Sequence, residues 1–408
     1  MRMNEQKKKL VPELRFPEFA NEDGWERKPI GDGFERVTTK NTENNQNTLT
    51  ISAQQGLISQ LDYFNKKVAA KDLSGYYLLH KGDFAYNKSY SQGYPMGAIK
   101  PLKLYEKGVV STLYICFRAN KGFCSEFYEH YFEAGILNQQ IEGIAQEGGR
   151  AHGLLNVSVK EFFKDVDILV PTLEEQQKIA DCLTSIDKLI TLHIQKLDVL
   201  KDHKKGLLQQ LFPAEGETLP KFRFPEFGEC GKWERKLISS VTQITTGGKD
   251  TQNKVEDGKY PFFVRSQTIE RINSYSFDGE AVLTSGDGVG VGKIYHYING
   301  KFDFHQRVYC IYDFSEEVSG KFFYLYFSEH FYRRVMRLSA KNSVDSVRMA
   351  MIADMEILLP KKDEQRKIVD AVFSLQEIID RQEVKVDSLK EHKKGLVQKI
   401  FPAMDETI

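Results

Sequence analysis

The sequence has no run of about 18 apolar residues, the length a helix needs to cross a bilayer, so no membrane-spanning helix is expected. It has no excess of either charge. Its 57 Lys+Arg stand against 57 Asp+Glu, which removes the simplest electrostatic argument for a polyanionic partner but leaves local basic surfaces open. Cysteine is sparse: Cys116, Cys124, Cys182, Cys230 and Cys310 form an odd, scattered set with no CxxC spacing, and no HExxH occurs. That pattern argues against a disulfide frame or a zinc site and for reduced thiols. The opening stretch, Met1 to Lys9, is polar and lysine-rich, so no secretory leader is read and a cytoplasmic protein is expected. Tryptophan is scarcest, with Trp25 and Trp233 alone. What is abundant is ordinary globular material: 408 residues, 41% hydrophobic and 28% charged, with 27 Phe and 19 Tyr, enough for two or three domains with their own cores.

The two tryptophans expose an internal duplication. Trp25-Glu26-Arg27-Lys28 recurs as Trp233-Glu234-Arg235-Lys236, at an offset of 208 residues. At the same offset Pro12-Glu13-Leu14-Arg15-Phe16-Pro17-Glu18-Phe19 recurs as Pro220-Lys221-Phe222-Arg223-Phe224-Pro225-Glu226-Phe227. Further on, Glu175-Gln176-Gln177-Lys178-Ile179 matches Glu364-Gln365-Arg366-Lys367-Ile368, now at an offset of 189. His203-Lys204-Lys205-Gly206-Leu207 matches His392-Lys393-Lys394-Gly395-Leu396 in the same way. Similar ends therefore flank middles that differ in length by 19 residues. The segment after each repeat, Phe212-Pro213-Ala214 and Phe401-Pro402-Ala403, continues in the first copy into the element with which the N-terminal region begins. The pattern is that of a closed ring of two units cut at one junction, and it predicts a pseudo-twofold molecule with its ends close together.

From Thr172 to Phe212 the apolar positions step by fours and threes, giving one heptad seam: Ile179, Leu183, Ile186, Ile190, His193, Leu197, Leu200, Lys204, Leu207, Leu211. The second copy gives Ile368, Val372, Leu375, Ile379, Gln382, Val386, Leu389, Lys393, Leu396, Ile400. Each run follows a proline, Pro171 or Pro360, and closes on Phe-Pro, so two long helices are predicted that pair with each other. Both seams turn polar at the same places, His193 with Gln382 and Lys204 with Lys393, where register-fixing contacts are expected. The Lys-Lys-Gly near each end could equally lie beyond the overlap, facing a partner protein or phosphates.

The middles, Ile30 to Val170 and Leu237 to Leu359, mix short β-rich runs with turn clusters. Strands are predicted at Leu113–Phe117, Pro261–Val264, Ala281–Thr284 and Val308–Tyr312, and helices at Ser125–Ala134 and Lys321–Arg334. A shared skeleton with different loop residues suits two modules that read different things. Residues 24–165 carry 17 basic and 15 acidic side chains, and residues 232–354 carry the same numbers, so net charge says little and local clusters say more. In the first module the nucleic-acid-binding candidates are Lys88, Ser89, Tyr90, Ser91, Gln92, Arg150 and His152. In the second they are Thr246, Gly248, Lys249, Arg265, Gln267, Lys293, His305, Gln306, Arg307, Lys341 and Asn342. Arg pairs with guanine edges, Gln and Asn with adenine edges, and Ser, Thr, Lys and backbone amides with phosphates.

This organisation resembles the specificity (S) subunit of type I restriction–modification systems. The resemblance covers nearly the whole chain and rests on the duplicated Trp-Glu-Arg-Lys, on Ile168-Leu169-Val170-Pro171 with Glu175-Gln176, and on Ile357-Leu358-Leu359-Pro360 with Glu364-Gln365. It implies an α/β (α+β) fold with two similar target-recognition domains joined by two long antiparallel coiled-coil helices in a circularly organised repeat. The boundaries expected are a first recognition domain over 1–171, a spacer helix over 172–213, a second recognition domain over 214–360 and a second helix over 361–408. The helix interface is expected at Leu183, Ile186, Ile190, His193, Leu197 and Leu200 against Val372, Leu375, Ile379, Gln382, Val386 and Leu389. The resemblance also implies a bacterial or archaeal protein that reads one half of a bipartite, asymmetric double-stranded DNA target with each domain. Its partners would be two modification subunits, which use S-adenosylmethionine to methylate adenine N6, and two restriction subunits, which use ATP and magnesium. The chain itself would hold no catalytic site, metal or cofactor.

Two other classes compete. A nuclease could be built on Glu26-Arg27-Lys28 or Asp257-Gly258-Lys259, but such triplets arise by chance at this charge content and no acidic cluster accompanies them. No Asn-Pro-Pro-aromatic methyltransferase motif is present, and Gly286 to Lys293 fails the P-loop pattern because Asp287 stands five residues before Gly292 and Ile294 follows Lys293. That glycine run is expected to form a turn near DNA or between strands. A coiled-coil scaffold that binds only protein is the remaining alternative.

Overall fold

The computed structural model describes residues 10–52, 55–66, 69–145, 155–338 and 346–404. The chain forms two compact units, Met1–His193 with Lys385–Ile408, and Ile194–Val384. Among the described residues no helix is long and apolar enough to cross a membrane.

The first unit enters through an extended segment with one turn of 3-10 helix at Pro17–Phe19. Its elements are β1 (Glu26–Pro29), α1 (Ile30–Gly33), β2 (Phe34–Arg36), β3 (Leu49–Ser52), β4 (Gly56–Ser59), α2 (Gln60–Phe64), β5 (Tyr77–His80) and β6 (Phe84–Asn87). Then come β7 (Ala98–Pro101), β8 (Lys107–Val110), β9 (Ile115–Ala119), α3 (Ser125–Glu133), α4 (Asn138–Ile144), α5 (Val159–Asp165), β10 (Asp167–Val170) and α6 (Leu173–Leu211). An antiparallel sheet of order β2-β9-β6-β7 carries the core, beside the pairs β3–β4, β5–β8 and β1–β10. Helix α3 buries Phe127, Tyr128, Tyr131 and Phe132 against it, where Phe34 meets Phe84, Phe117 and Tyr128 edge-on. Edge-on aromatic contacts of this kind add to the area they bury. The aromatic enrichment is thus mainly core.

The second unit contains β11 (Glu234–Leu237), α7 (Ile238–Val241), β12 (Gln243–Thr246), β13 (Tyr260–Phe263), β14 (Glu270–Ile272) and β15 (Phe277–Ser285). They are followed by β16 (Tyr295–Phe304), β17 (Val308–Tyr312), α8 (Gly320–Leu338), α9 (Met349–Ala353), β18 (Glu356–Leu359) and α10 (Lys362–Ile400). Its sheet has order β12-β17-β15-β16-β13-β14, antiparallel except for the β13–β16 pair. The strand expected at Val308–Tyr312 forms with those ends, whereas Ala281–Thr284 is the inner part of the longer β15. Gly279 and Gly300 face each other across the β15–β16 ladder, and glycine, which is depleted in strands, hides its outer half from the sequence. The strand expected from Leu113 begins at Ile115 instead, because Tyr114 N–H donates to Ser111 O and closes a turn there.

The duplicated ends meet each other. β1 pairs with β10 so that Arg27 faces Leu169, and β11 pairs with β18 so that Arg235 faces Leu358, the same register in both units. Over each ladder lies an ion pair. Arg15 donates through Nε and Nη2 to Glu175 at 2.8 and 2.7 Å, and Arg223 does the same to Glu364 at 2.8 and 2.7 Å. Both glutamates are 1% exposed at the side chain, and the arginines 7% and 12%. The neighbouring glutamines complete the junction. Gln176 donates to Pro171 O and accepts from the N–H of Cys124, which opens α3. Gln365 donates to Pro360 O and accepts from Ser319 N–H, at the start of α8. A helix start leaves unsatisfied N–H groups, and these glutamines take one each. Trp25 and Trp233 sit beneath, and Trp233 Nε1 also donates to Glu364 while Trp25 Nε1 is buried without a hydrogen-bond partner among the described residues.

Each unit takes the first half of one long helix and the second half of the other. In the first unit, Ile179 and Leu183 of α6 share a core with Leu396 and Ile400 of α10, and Lys393 Nζ donates to Asp187 at 2.6 and 2.8 Å. In the second, Leu207 and Leu211 share a core with Ile368 and Val372, and Lys204 Nζ donates to Gln376 Oε1. Numbers rise along α6 as they fall along α10, so the helix halves are antiparallel within each unit. All twelve predicted interface positions are buried or half-buried, His193 and Gln382 included. The first lysine of each Lys-Lys-Gly therefore lies in the seam and not beyond the overlap, which answers the alternative left open by its spacing. The ring closure is visible too: Phe401, at the end of α10, packs edge-on against Trp25 and Phe127, as Phe212 does against Trp233 and Phe322. Leu14 N–H donates to Lys399 O at 2.9 Å, and Phe222 N–H donates to Gln210 O at 2.9 Å.

The two tryptophans allow each unit to be followed separately. In a Trp233→Phe background, Arg15→Ala should lower the stability reported by Trp25 fluorescence in urea by about 3–5 kcal/mol, since it strands a buried carboxylate. A second expectation concerns His130, whose Nε2 lies 3.1 Å from Thr184 Oγ1 and whose Nδ1 lies 3.8 Å from Asp187. Burial foremost, then Lys393, pushes its pKa from 6.5 down to about 4, with Asp187 opposing. The unfolded chain therefore binds the extra proton first, so this contribution is present above pH 6.5 and is lost as the pH falls towards about 4. His130→Leu, matching Leu325 in the second unit, should flatten the Trp25 transition over that interval.

Candidate nucleic-acid interface

In the second unit, loops that are far apart in sequence gather at one edge of the sheet. Lys249, just past β12, forms a parallel bridge with His305, and Gln306 N–H donates to Lys249 O at 2.9 Å. A β-carbon at Gly247 would come within 1.9 Å of Phe304 O, so glycine is what lets the two loops lie side by side. Thr246 and Gly248 are exposed there and Lys249 is half-buried. Gln306 and Arg307 are exposed, and Gln306 Nε2 donates to Asp250 Oδ2 at 3.3 Å. His305 is different, being only 3% exposed. Its Nδ1 accepts from Arg307 N–H at 2.9 Å, which places the proton of the neutral ring on Nε2, 4.0 Å from Asp250. Burial, then the neighbouring Arg265, lowers its pKa, so His305 shapes the loop as a neutral ring.

The arginines converge on an acid. Arg265 Nη1 donates to Asp287 Oδ1 at 3.0 Å, and Arg307 Nε lies 3.7 Å from the other oxygen of the same carboxylate. Beside them opens a cleft of about 450 Å³ that Thr246, Gln306, Arg307, Ser346 and Arg348 help to line. Gln267 is exposed on the Arg265 loop. Lys293 leaves the far end of the glycine turn, and its Nζ lies 4.7 Å over the Tyr332 ring of α8. Thr246, Lys249, Arg265, Gln306 and Arg307 are thus drawn into one polar edge. The expected turn at 286–293 does lie between two strands, β15 and β16.

In the first unit the candidates occupy the segment after β6. Ser91 and Tyr94 exchange backbone hydrogen bonds around Gln92 and Gly93, the glycine at φ 84°, and Tyr90 stands 65% exposed beside this tight turn. The turn is held from behind. Tyr94 O–H donates to Glu133 at the end of α3, and Lys100 Nζ donates to the same carboxylate and to Tyr94 Oη. Burial, then Glu133, pushes the Tyr94 phenol up. Gln92 is exposed, while Ser89 N–H donates to Asn87 Oδ1 and Ser89 is half-buried. Lys88 is half-buried, its Nζ 3.4 Å from Val157 O, and burial lowers its pKa. Arg150, His152, Lys341 and Asn342 lie outside the described residues.

Asp287, Asp250 and Arg348 were not foreseen from the sequence, nor was Glu133 as a tether. The glycine spacing around Asp287 signals a turn, but nothing in the local sequence shows that its carboxylate meets two arginines. Among the described residues no group of three or more His, Cys, Asp or Glu is placed to hold a metal ion. The triplet Glu26-Arg27-Lys28 lies in β1, where Arg27 pairs with Asp167 and Lys28 with Glu26.

Comparison with known proteins agrees with this architecture. The family model described as the type I restriction modification DNA specificity domain matches twice, over residues 22–202 and 231–390. The chain is 25% identical over 324 residues to the type I restriction enzyme MjaVIII specificity subunit of Methanocaldococcus jannaschii, covering 72% of this chain and 73% of that one. It is 26% identical over 170 residues to the EcoDI specificity subunit of Escherichia coli, covering 41% of this chain and 37% of that one. Its fold is similar to the crystal structure of the S subunit of a type I restriction–modification system from M. genitalium, with a TM-score of 0.63 and 13% identity over 97% of this chain and all of that one. A second similar structure, solved in work on complex assembly and conformational transition of the type I system, gives a TM-score of 0.56 at 18% identity, over 92% of this chain and 97% of that one. Two recognition units of one frame, each completed by halves of two long helices, place this chain in the family of type I restriction–modification specificity subunits.

Proposed function

We propose that this protein reads double-stranded DNA for a type I restriction–modification complex, each unit taking one half of a bipartite, asymmetric target. The observation that carries the reading is the repetition of one frame with different loops. The β1–β10 and β11–β18 ladders keep the same register, while the loop at 88–97 between β6 and β7 and its counterpart at 286–294 between β15 and β16 carry different residues. Exposed Tyr90, Gln92, Gln267, Gln306 and Arg307 are residue types suited to base edges, and Lys249 and Thr246 to phosphates. The helix pair sets the gap between the half-sites and docks two modification subunits, which bind S-adenosylmethionine and methylate adenine N6. Two restriction subunits supply ATP- and magnesium-dependent translocation and cleavage in the cytoplasm. The chain contributes recognition and scaffold and holds no cofactor of its own.

The full chain assembled with its modification subunits should bind one bipartite sequence at least tens-fold better than a scrambled duplex, measured by competition at fixed salt. Equal binding would contradict the reading. Lengthening both helices by a few residues in phase should alter the tolerated gap and leave the bases of each half unchanged. Lys249→Ala should weaken binding to all sequences alike and lower the salt slope by about 1.

A further inference from the structure

The glycine-rich turn at 286–292 has no role of its own in the function proposed above, yet it is built with care around one carboxylate. Gly286 N–H donates to Arg307 O at 2.7 Å, and Val347 N–H donates back to Gly286 O at 2.7 Å. Asp287 forms a backbone bridge with Ser346, and its carbonyl accepts from Ser285 Oγ at 2.6 Å. Gly288 and Gly290, at φ 89° and 85°, reverse the chain immediately after it, in a region that side chains with a β-carbon rarely enter. The turn also lifts Val289 to 97% exposure, an apolar tip beside the arginines. Such a tip suits the methyl group that thymine presents in the major groove.

We infer that Asp287 is a specificity-determining positioning residue, which holds Arg265 and Arg307 as a pair that reads guanine in the half-site taken by the second unit. The inference rests on the DNA-reading function proposed above. Two unrestrained arginines would grip any phosphate, and their long side chains would lose rotamer freedom on meeting a base. The Asp287 carboxylate changes both. It takes Nη1 of Arg265 and faces Nε of Arg307, so each guanidinium is oriented before DNA arrives. It also cancels one of the two positive charges and repels phosphate, which shifts the pair from backbone contact towards the O6 and N7 acceptors of guanine. Asp287 touches no base in this scheme. It acts through the arginines.

The test uses the full chain assembled with its modification subunits and a duplex library randomised in both half-sites. The unaltered complex should enrich guanine at one or two positions of the half-site read by the second unit. Asp287→Asn should reduce that guanine preference about tenfold, as loss of an oriented Arg–guanine contact predicts, and should raise affinity for unrelated duplex with a steeper salt dependence. Arg307→Ala should lose the same guanine preference and flatten the salt dependence, and Asp287→Glu should restore most of the preference that Asp287→Asn removes. A uniform fall in affinity for every sequence in Asp287→Asn would mean that the residue only supports the fold, and it would overturn the inference. So would an unaltered complex that selects no guanine in that half-site. A complex that selects no sequence at all would remove the DNA-reading function itself, a distinguishable failure.

Discussion

Everything in this molecule hangs on a charge pair taken out of water. Arg15 and Glu175, and again Arg223 and Glu364, form two-pronged ion pairs beneath the surface, and each joins segments more than 140 residues apart in sequence. Burying such a pair contributes little net stability against an apolar replacement, but separating the partners is costly, so the pair acts chiefly as a geometric constraint. The adjacent Gln176 and Gln365 extend it to the start of α3 and of α8, and the Trp25 and Trp233 rings close it from beneath. The long helix, the entry segment, the ladder and the main helix of each recognition domain are fixed relative to one another at a single junction.

That junction explains why the two copies keep their ends and let their middles drift. A domain whose frame is fixed at its base can change loops without changing the way it is held. The first unit places a turn tethered through Tyr94, Lys100 and Glu133 where the second places loops tied by Asp250 and Asp287. The seam shows the same logic at smaller scale. Lys393 meets Asp187 in one unit and Lys204 meets Gln376 in the other, so equivalent lysines keep their place while the partner varies. Many charged side chains are committed to partners within the fold, as Arg118 is to Asp83 and Arg235 to Glu356.

The duplication, the long helices and the phase of their seam were legible because each leaves a periodic or repeated signal in the chain. Several strands were legible for the same reason, as β17 shows. The contacts that organise the fold were not. Arg15 and Glu175 are 160 residues apart and neither stands out locally, although their recurrence as Arg223 and Glu364 in the second copy was a usable clue. The loop residues were the least legible. His305 reads as an exposed polar residue, and only the packing of the Lys249 loop against it shows a buried ring. Asp287 reads as an interruption in a glycine run, and only the meeting of three loops gives it arginine partners.

The central claim is that two copies of one frame, carrying different loops, read two different half-sites held at a fixed gap. Mapping methylated adenines in DNA of the host with and without this gene tests it most directly, because one experiment reports both half-sites and their spacing. The account predicts one asymmetric motif, two short defined blocks separated by a constant number of unspecified bases, whose methylation disappears when the gene is removed. A methylation pattern unchanged by removal of the gene, or loss of methylation at a single uninterrupted motif, would contradict it.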